Sequence, residues 1–252
     1  MIQYRISVRA PDGRPLSASM AYPMYSWLLS QAPSSYGTLL HEQGRKPISQ
    51  YLCRDRKTGQ FVWTVSCLDE ASHEALAPAL RNLAEIPLRA SRLQAALLDV
   101  STVQSVADFM EAARKQEDAP FYRLTFCSPT AFKHDGSYVI FPETRLLVQS
   151  LAEKWSSVFP DYPLSDAEVL EAFQRGLRIT DYRLQSCRFS MKQTQIPSFT
   201  GEVTLKARLS SPMMELWKCL VEFSRFSGIG IKTTLGMGGV SFTGNKSCPG
   251  GT

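Results

Sequence analysis

A glycine-rich segment near the end of the chain has the residue types of a phosphate-binding loop. The sequence GIGIKTTLGMGGV, residues 228–240, places five glycines around one lysine and two threonines. Glycine permits positive φ angles and a close backbone approach to a ligand, and an array of backbone N–H groups beside a lysine favours phosphate. The Gly-Lys-Ser/Thr order of a Walker loop is absent, and the segment follows a predicted helix instead of a strand. From these residues alone, a phosphate-binding loop and a flexible connection are both open.

Three histidines are the candidate acid–base groups. Histidine has an unperturbed pKa of about 6.5 and can therefore exchange protons near neutral pH. His73 lies among glutamates on a predicted helix, and His134 lies in the turn-like sequence KHDG. His41 follows a Tyr-Gly pair and precedes Lys46-Pro47, and we expect it in the loop region between the first helix and the second strand. In isolation, a structural role is the more common one for such a histidine.

Composition and residue spacing exclude several classes of protein. The 252 residues are 44% hydrophobic and 20% charged, as in globular proteins and unlike disordered chains, collagens or coiled coils. No stretch approaches the roughly 18 apolar residues of a membrane-spanning helix, and the polar start lacks the apolar core of a signal peptide, which predicts a cytoplasmic protein. The six cysteines lack metal-ligand spacing, and no carboxylate cluster resembles a two-metal site. We therefore expect reduced thiols, no cofactor and no metal.

Positive charge is concentrated in three segments although the net charge is only +5. Residues 41–60 contain five Lys/Arg and two Asp/Glu, residues 178–208 contain six and two, and residues 225–252 contain three and none. Segregated basic segments can form an electrostatic footprint for a polyanion. On charge alone, solvated strands and loops are the more common explanation.

The order of predicted elements repeats along the chain. Residues 1–115 show a strand, a helix that Pro23 kinks or delays, a hairpin, a second helix and an extended segment. Residues 120–242 show a strand, two helices, a long basic hairpin, a final helix and the glycine-rich segment, with a Ser cap and an early Glu opening SDAEVLEAFQRGL. This order predicts an α+β fold of two tandem ferredoxin-like (RRM-like) domains with a C-terminal glycine-rich loop. Residues 243–252 are predicted to be a flexible tail.

Position and sequence together connect this chain with a known family. A glycine-rich loop after the last helix of a double ferredoxin-like protein is typical of repeat-associated RNA-binding proteins. On this loop and four further segments, nearly the whole chain resembles the CRISPR-associated Cas-six endoribonucleases, which cut precursor CRISPR RNA within each repeat. The four segments are LLHEQGRKPISQYL (Leu39–Leu52), FCSPTAF (Phe126–Phe132), YVIFPETRLLVQSLAEKW (Tyr138–Trp155) and FTGEVTL (Phe199–Leu205).

The resemblance implies a catalytic role for the first histidine. Cas-six enzymes commonly use a histidine from this segment, with a nearby tyrosine and lysine in several members. By that resemblance His41 is the acid–base group, Tyr36 and Lys46 are supporting catalytic candidates, and Arg45 is an alternative cation. RNA supplies its own nucleophile, the 2′-OH, so such an enzyme has to align it, move protons and stabilise negative charge, and it needs no metal.

The resemblance also implies CRISPR repeat RNA as the partner, with other CRISPR effector subunits and a homodimer as further expectations. Tyr182 and Phe189 are candidates for base stacking, although aromatic residues in strands are more commonly part of the core. A non-catalytic structural RNA-binding subunit, a DNA- or nucleotide-binding module and a metabolic enzyme are the alternatives, and no cofactor motif supports the last. The RNA-binding candidates are the loop residues Lys232, Thr233, Thr234, Gly230, Gly236 and Gly238 and the hairpin residues Arg183, Arg188 and Lys192.

Overall fold

Two antiparallel sheets, one in each half of the chain, form the framework. The structure is a computed structural model that describes residues 1–42, 47–89, 91–117 and 119–246. Within these ranges, no helix has the length and apolarity to cross a membrane. Counted along the chain within each sheet, the first strand lies between the third and the last, as in a ferredoxin-like fold. The predicted fold class is therefore confirmed.

The first half contains a five-stranded sheet in the order β2-β3-β1-β5-β4. Alternate residues of the first strand, Tyr4, Ile6 and Val8, are buried against the helices, as the period-two pattern predicts. The elements are β1 (Ile2–Arg9), a short 3-10 helix (Ala18–Met20), α1 (Ala21–Gln31), α2 (Ser34–Glu42), β2 (Ile48–Arg54), β3 (Phe61–Cys67), α3 (Glu70–Arg81), β4 (Glu85–Leu88) and β5 (Ser91–Thr102).

The second half contains a four-stranded sheet in the order β11-β6-β10-β9 and a separate two-stranded ribbon, β7-β8. Its apolar core is formed by one face of the sheet and the helices that cover it. The elements are α4 (Val106–Lys115), β6 (Phe121–Thr130), β7 (Phe132–His134), β8 (Ser137–Val139), α5 (Thr144–Val158), α6 (Ala167–Gly176), β9 (Leu177–Met191), β10 (Thr194–Ala207), α7 (Ser211–Ser227), a 3-10 helix (Thr233–Leu235) and β11 (Val240–Asn245).

Several local predictions differ from the observed elements. The segment that contains His41 is helical, not a loop, because Tyr36 and Leu40, four residues apart, are both buried in the first core. The extended segment at the end of the first half is the hairpin of β4 and β5. Asp166 caps α6 instead of the preceding serine, because its carboxylate accepts hydrogen bonds from two backbone N–H groups.

The end of the chain and the junction of the halves also carry details that the sequence pattern did not show. The last strand, β11, pairs with β6 as far as Asn245, three residues into the segment expected to be a tail. Helix α4 lies before the expected boundary near residue 115, yet Phe109 and Ala113 are buried in the core of the second half. The division into residues 1–115 and 120–242 stays a prediction.

Side-chain hydrogen bonds join the two halves on the face of the first sheet that lies opposite its own helices. Gln3 donates from Nε2 to the carbonyl oxygen of Arg225 at 2.7 Å, and the hydroxyl of Ser49 donates to the carbonyl of Phe226. Gln3 and Ser49 are buried, so these bonds form away from competing water. The end of α7 is thereby fixed against the first sheet, and the glycine-rich segment that follows it starts from a defined position.

Candidate nucleic-acid interface and active site

The glycine loop, residues 228–239, is a tightly packed element whose glycines are required by their neighbours. Gly230 has φ +85°, and a Cβ there would lie 2.4 Å from the carbonyl oxygen of Ala131. Gly238 has φ +76°, and a Cβ there would lie 2.2 Å from the carbonyl oxygen of Ile229. Both positions combine a backbone conformation and a contact that L side chains do not tolerate. Packing within the protein therefore accounts for these two glycines, and their contact with RNA stays a prediction.

The glycine loop is held between the two halves by hydrogen bonds on both sides. Thr234 donates from its hydroxyl to the carbonyl of Ile48 at 2.9 Å, and its own carbonyl accepts from Nε2 of Gln50 at 3.0 Å. On the side of the second half, the N–H of Gly230 donates to the hydroxyl of Ser150 at 2.8 Å. The alternative of a flexible connection is therefore wrong, because strand β2 and helix α5 fix the loop from opposite sides.

Two loop residues expected to contact RNA differ in their surroundings. Lys232 is half-buried and has a left-handed backbone with φ +54°. Thr233 is buried, and its hydroxyl accepts a 2.9 Å hydrogen bond from Nζ of Lys154 on α5. The side chain of Thr233 is thus occupied by a protein donor, which leaves Lys232 as the more accessible of the two.

A cavity of about 690 Å³ lies where the glycine loop, α5 and the start of β2 meet. Its lining carries two cationic side chains, Lys133 and Lys154, and two carboxylates, Asp69 and Glu153. Pro47, the residue directly before β2, also lines it. A site with cations and room for a nucleotide can hold a phosphate and stabilise extra charge on it. Lys154 carries no signal in the sequence, because nothing distinguishes it from other polar residues of an amphipathic helix.

The backbone of His41 lies in the last turn of α2, one residue before the helix ends. Arg45 and Lys46, the two cationic candidates, lie outside the described residues. The described chain resumes at Pro47, which lines the cavity. Residues 43–46 therefore connect helix α2 to a residue that lines the cavity.

Tyr36 is buried inside the first half and hydrogen-bonded within the protein. It is 5% exposed, and its hydroxyl donates to Oγ of Ser72 at 2.8 Å. The hydroxyl of Ser72 in turn donates to the carbonyl of Pro47 at 3.3 Å. Burial raises the pKa of Tyr36 to about 12. This chain of hydrogen bonds ties α2 to α3 and to the residue that lines the cavity, and direct participation of Tyr36 in catalysis stays a prediction.

The other two histidines lie elsewhere. His73, on α3, is half-buried, and its Nδ1 lies 3.1 Å from the hydroxyl of Tyr4. Burial lowers the pKa of His73, and the nearby Arg81 adds to this effect. His134 is exposed at the turn of the β7-β8 ribbon, 3.4 Å from the carboxylate of Asp135. Neither histidine is among the residues that line the cavity.

The basic residues of the β9-β10 hairpin are exposed but do not share one face. Arg183 pairs in register with Glu202, whereas Arg188 pairs with Pro197, and the odd separation of five positions places them on opposite faces. Lys192 lies in the hairpin turn with φ +52°. The structure therefore brings Arg188 and Lys192 near one end of the hairpin and leaves Arg183 on the other face.

The two aromatic candidates for base stacking have different environments. Phe189 is fully buried, and its ring would lie 3.1 Å from a Cβ on Gly236 of the glycine loop. It is therefore a core residue that packs the hairpin against the loop. Tyr182 is 58% exposed and meets the ring of Phe141 edge-on, with centroids 5.4 Å apart. The core interpretation is thus confirmed for Phe189 and wrong for Tyr182.

The acidic and metal-ligating side chains that the structure describes do not assemble a metal site. Glu202 accepts ion pairs from Arg56 of the first half and from Arg123 at 3.8 Å. Among the residues that the structure describes, no three His, Cys, Asp or Glu side chains are grouped as metal ligands. Five cysteines are free, and Cys248 lies outside the described residues.

Comparison with known proteins connects this geometry to a family. The family model described as CRISPR-associated endoribonuclease Cas6 matches residues 124–240. A protein of that name from Streptococcus thermophilus is 28% identical over 228 residues, which are 90% of this chain and 93% of the relative. One from Mycobacterium tuberculosis is 29% identical over 238 residues, covering 93% of this chain and 75% of the relative. These matches support the CRISPR-associated endoribonuclease Cas6 family for this chain.

Solved Cas6 structures share the fold over nearly the whole chain. A Cas6 product complex superposes with a TM-score of 0.74 at 26% identity, covering 96% of this chain and 99% of the other. A Thermus thermophilus Cas6 superposes with a TM-score of 0.72 at 26% identity, covering 96% and 98%. The region that the Cas6 model matches contains the hairpin, Lys154 and the glycine loop, whereas α2 with His41 precedes it and is covered by the full-length relatives.

Proposed function

We propose that the chain is an endoribonuclease that cuts precursor CRISPR RNA within its repeats, by metal-independent transesterification, and so yields mature guide RNAs. The observation that carries this proposal is the cavity between the halves, lined by the glycine loop, Lys154 and the residue that follows the His41 segment. The relatives named Cas6 endoribonucleases, which match at least nine-tenths of the chain, support the same substrate class.

The proposed reaction uses the 2′-OH of the RNA as the nucleophile. His41 moves a proton, either from the 2′-OH or to the 5′-oxygen leaving group. Lys46, or Arg45 in its place, offsets charge on the non-bridging phosphate oxygens, and Lys154 and Lys133 add positive potential from the other side of the cavity. Tyr36 acts through Ser72 by holding the end of α2 near the cavity. The products are a 2′,3′-cyclic phosphate and a 5′-hydroxyl.

RNA binding is proposed to use cations of the glycine loop and of the β9-β10 hairpin. Lys232 of the glycine loop and Arg188 and Lys192 of the hairpin contact phosphates, which position the RNA without reading its sequence. Exposed Tyr182 is a platform for an unpaired base. A cytoplasmic location follows from this substrate, and other CRISPR effector subunits and a second copy of the chain are proposed as further partners.

The decisive test is cleavage of a labelled repeat RNA by the wild-type protein and by His41→Ala. We expect the variant to lose about two to four orders of magnitude in single-turnover rate while its RNA affinity stays within a few-fold. His134→Ala, which removes an exposed histidine outside the cavity, is the matched control and should cut at the wild-type rate.

Two results would contradict the proposal in different ways. Near-wild-type cutting by His41→Ala would reject that residue as the acid–base group and turn attention to Tyr36 and Lys46. Tight binding of repeat RNA by a wild-type protein that does not cut it would favour the alternative, a structural RNA-binding subunit of a CRISPR effector complex.

A further inference from the structure

A second, smaller cavity with an unusual charge composition lies at the far end of the β9-β10 hairpin. Its volume is about 400 Å³, and four of its six lining residues are cationic. The cations come from the end of α6, the start of β9 and the end of β10 with the residue after it. We call them the basic end cluster, which consists of Arg175, Arg178, Lys206 and Arg208.

The backbone forces the members of the basic end cluster together. Arg178 and Lys206 are direct cross-strand partners, so their side chains lie on the same face of the sheet. The N–H of Arg208 donates to the carbonyl of Gly176 at 2.8 Å, which fixes the chain after β10 against the end of α6. Like charges directly opposite each other destabilise a strand pair. Such an arrangement is favourable once an anion lies between the charges.

Protein carboxylates neutralise little of this charge. No acidic residue lines the cavity. Arg175 pairs with Glu171 one turn earlier in its own helix, at 3.2 Å, and both side chains are largely exposed, so solvent weakens the pair. Lys206 lies over the ring of Phe121, 5.5 Å from its centroid. Within the described part of the chain, Arg178 and Arg208 have no carboxylate at ion-pair distance, and both are exposed.

We propose that the basic end cluster is a binding site for backbone phosphates of the RNA, separate from the cavity at the glycine loop. This inference rests on the proposed function, since it needs RNA as the ligand. Arginine guanidinium groups bind phosphate oxygens in a bidentate manner and with little desolvation cost, so Arg178 and Arg208 are the principal contacts.

The position of the cluster defines which part of the RNA it would hold. Phe189, near the other end of β9, packs against the glycine loop. Arg178 lies eleven residues earlier, which at a rise of 3.3 Å per residue is at most about 36 Å along the strand. Arg183 lies between them and shares the open face with Arg178, because a bulge near residue 180 shifts the alternation. The cluster therefore binds an RNA segment well away from the scissile phosphate.

Protection of a sheet edge is the competing explanation for these charges. Strand β9 is an edge strand, and exposed cations on such strands discourage pairing with other chains. This explanation fits Arg178. It does not account for Arg175 on a helix or for Lys206 and Arg208, which belong to or follow the inner strand β10.

The test compares Arg178→Gln/Arg208→Gln with the control Arg92→Gln/Lys115→Gln. Both double variants remove two exposed positive charges, and the control residues lie outside the second half's sheet, in surface ion pairs. RNA affinity is measured on a full repeat with its flanking sequence at 50–200 mM monovalent salt. We expect the cluster variant to bind roughly ten-fold more weakly at 100 mM salt and to reduce the slope of log K against log salt by about 1.4–1.8, with the control near wild type.

Single-turnover cleavage at saturating protein should be unchanged in the cluster variant, because the site does not contact the reacting atoms. Shortening the RNA from the end distant from the cleavage site should abolish the affinity difference at a defined length. If the cluster variant has the same RNA affinity and the same salt slope as the wild type, the proposed binding site is wrong. It is also wrong if the variant aggregates without losing RNA affinity. A wild-type protein that neither binds nor cuts repeat RNA would instead reject the proposed function, and this site with it.

Discussion

Replacing Gly239 with alanine tests whether the close contact between the glycine loop and the first half stabilises the protein. A Cβ at this position would lie 2.4–2.7 Å from three ring atoms of Tyr51 on β2. The loop cannot easily withdraw, because the carbonyl of Gly239 accepts from the N–H of Cys127 at 2.9 Å and its N–H donates to the hydroxyl of Ser128 at 2.8 Å. The ring itself must move, or the two halves must separate.

Two opposing effects determine the size of the change. Overpacking of a filled contact costs about 1–3 kcal/mol. The φ angle of Gly239 is not positive, so alanine adds no backbone strain and gains about 0.4–1 kcal/mol by restricting the unfolded chain. Because the overpacking is larger, we expect Gly239→Ala to lower the free energy of unfolding by about 1–2 kcal/mol.

The measurement is urea-induced unfolding followed by tryptophan fluorescence, with Gly37→Ala as the matched control. Gly37 lies inside α2, and a Cβ there would meet nothing within 4 Å, so this variant should gain about 0.5–1 kcal/mol from helix propensity. If Gly239→Ala is as stable as the wild type, the contact with Tyr51 is loose and the reasoning is refuted. A destabilised Gly37→Ala would refute the helical conformation of residues 34–42.

Three further predictions concern the chemistry and its support. Cleavage should proceed in excess chelator, and reversible inhibition by chelator would reject the mechanism. A 2′-deoxy nucleotide directly before the scissile phosphate should block cutting while the RNA still binds. Cleavage of this deoxy substrate would likewise reject the mechanism. Lys154→Met should weaken RNA affinity roughly five-fold in titrations, since it removes the donor to Thr233 and a cation of the cavity. Unchanged affinity would show that Lys154 has only a packing role. The pKa of Tyr36 lies above its unfolded value of 10.0, at about 12, so its contribution to stability is complete below pH 10 and is lost as the pH rises towards 12. Between pH 10 and 12, the free energy of unfolding measured with urea should therefore fall by about 2 kcal/mol less in Tyr36→Phe than in the wild type. Equal decreases in the two proteins would contradict the buried position of Tyr36.

Much of the fold was predictable because its signals are local. Alternation in β1, the helical spacing that buries Leu147, Leu151 and Trp155 in α5, and the proline and glycine that flank α7 each report their element within a short window. Helix α2 was missed because Gly37 and the serines around Tyr36 have the composition of a loop. Its two inward side chains gain their burial only from the first core.

The sequence by itself determined the tandem α+β order, the segregation of positive charge and the residues that carry the resemblance to Cas6. Tertiary structure alone decided which of these residues meet. It buried Thr233 and Phe189, placed Lys154 beside the glycine loop, and assembled four cations from α6, β9, β10 and the residue after β10 at one end of the hairpin. The physical reason is range: periodicity and turn chemistry act over a few residues, whereas contacts between distant segments depend on how whole elements pack.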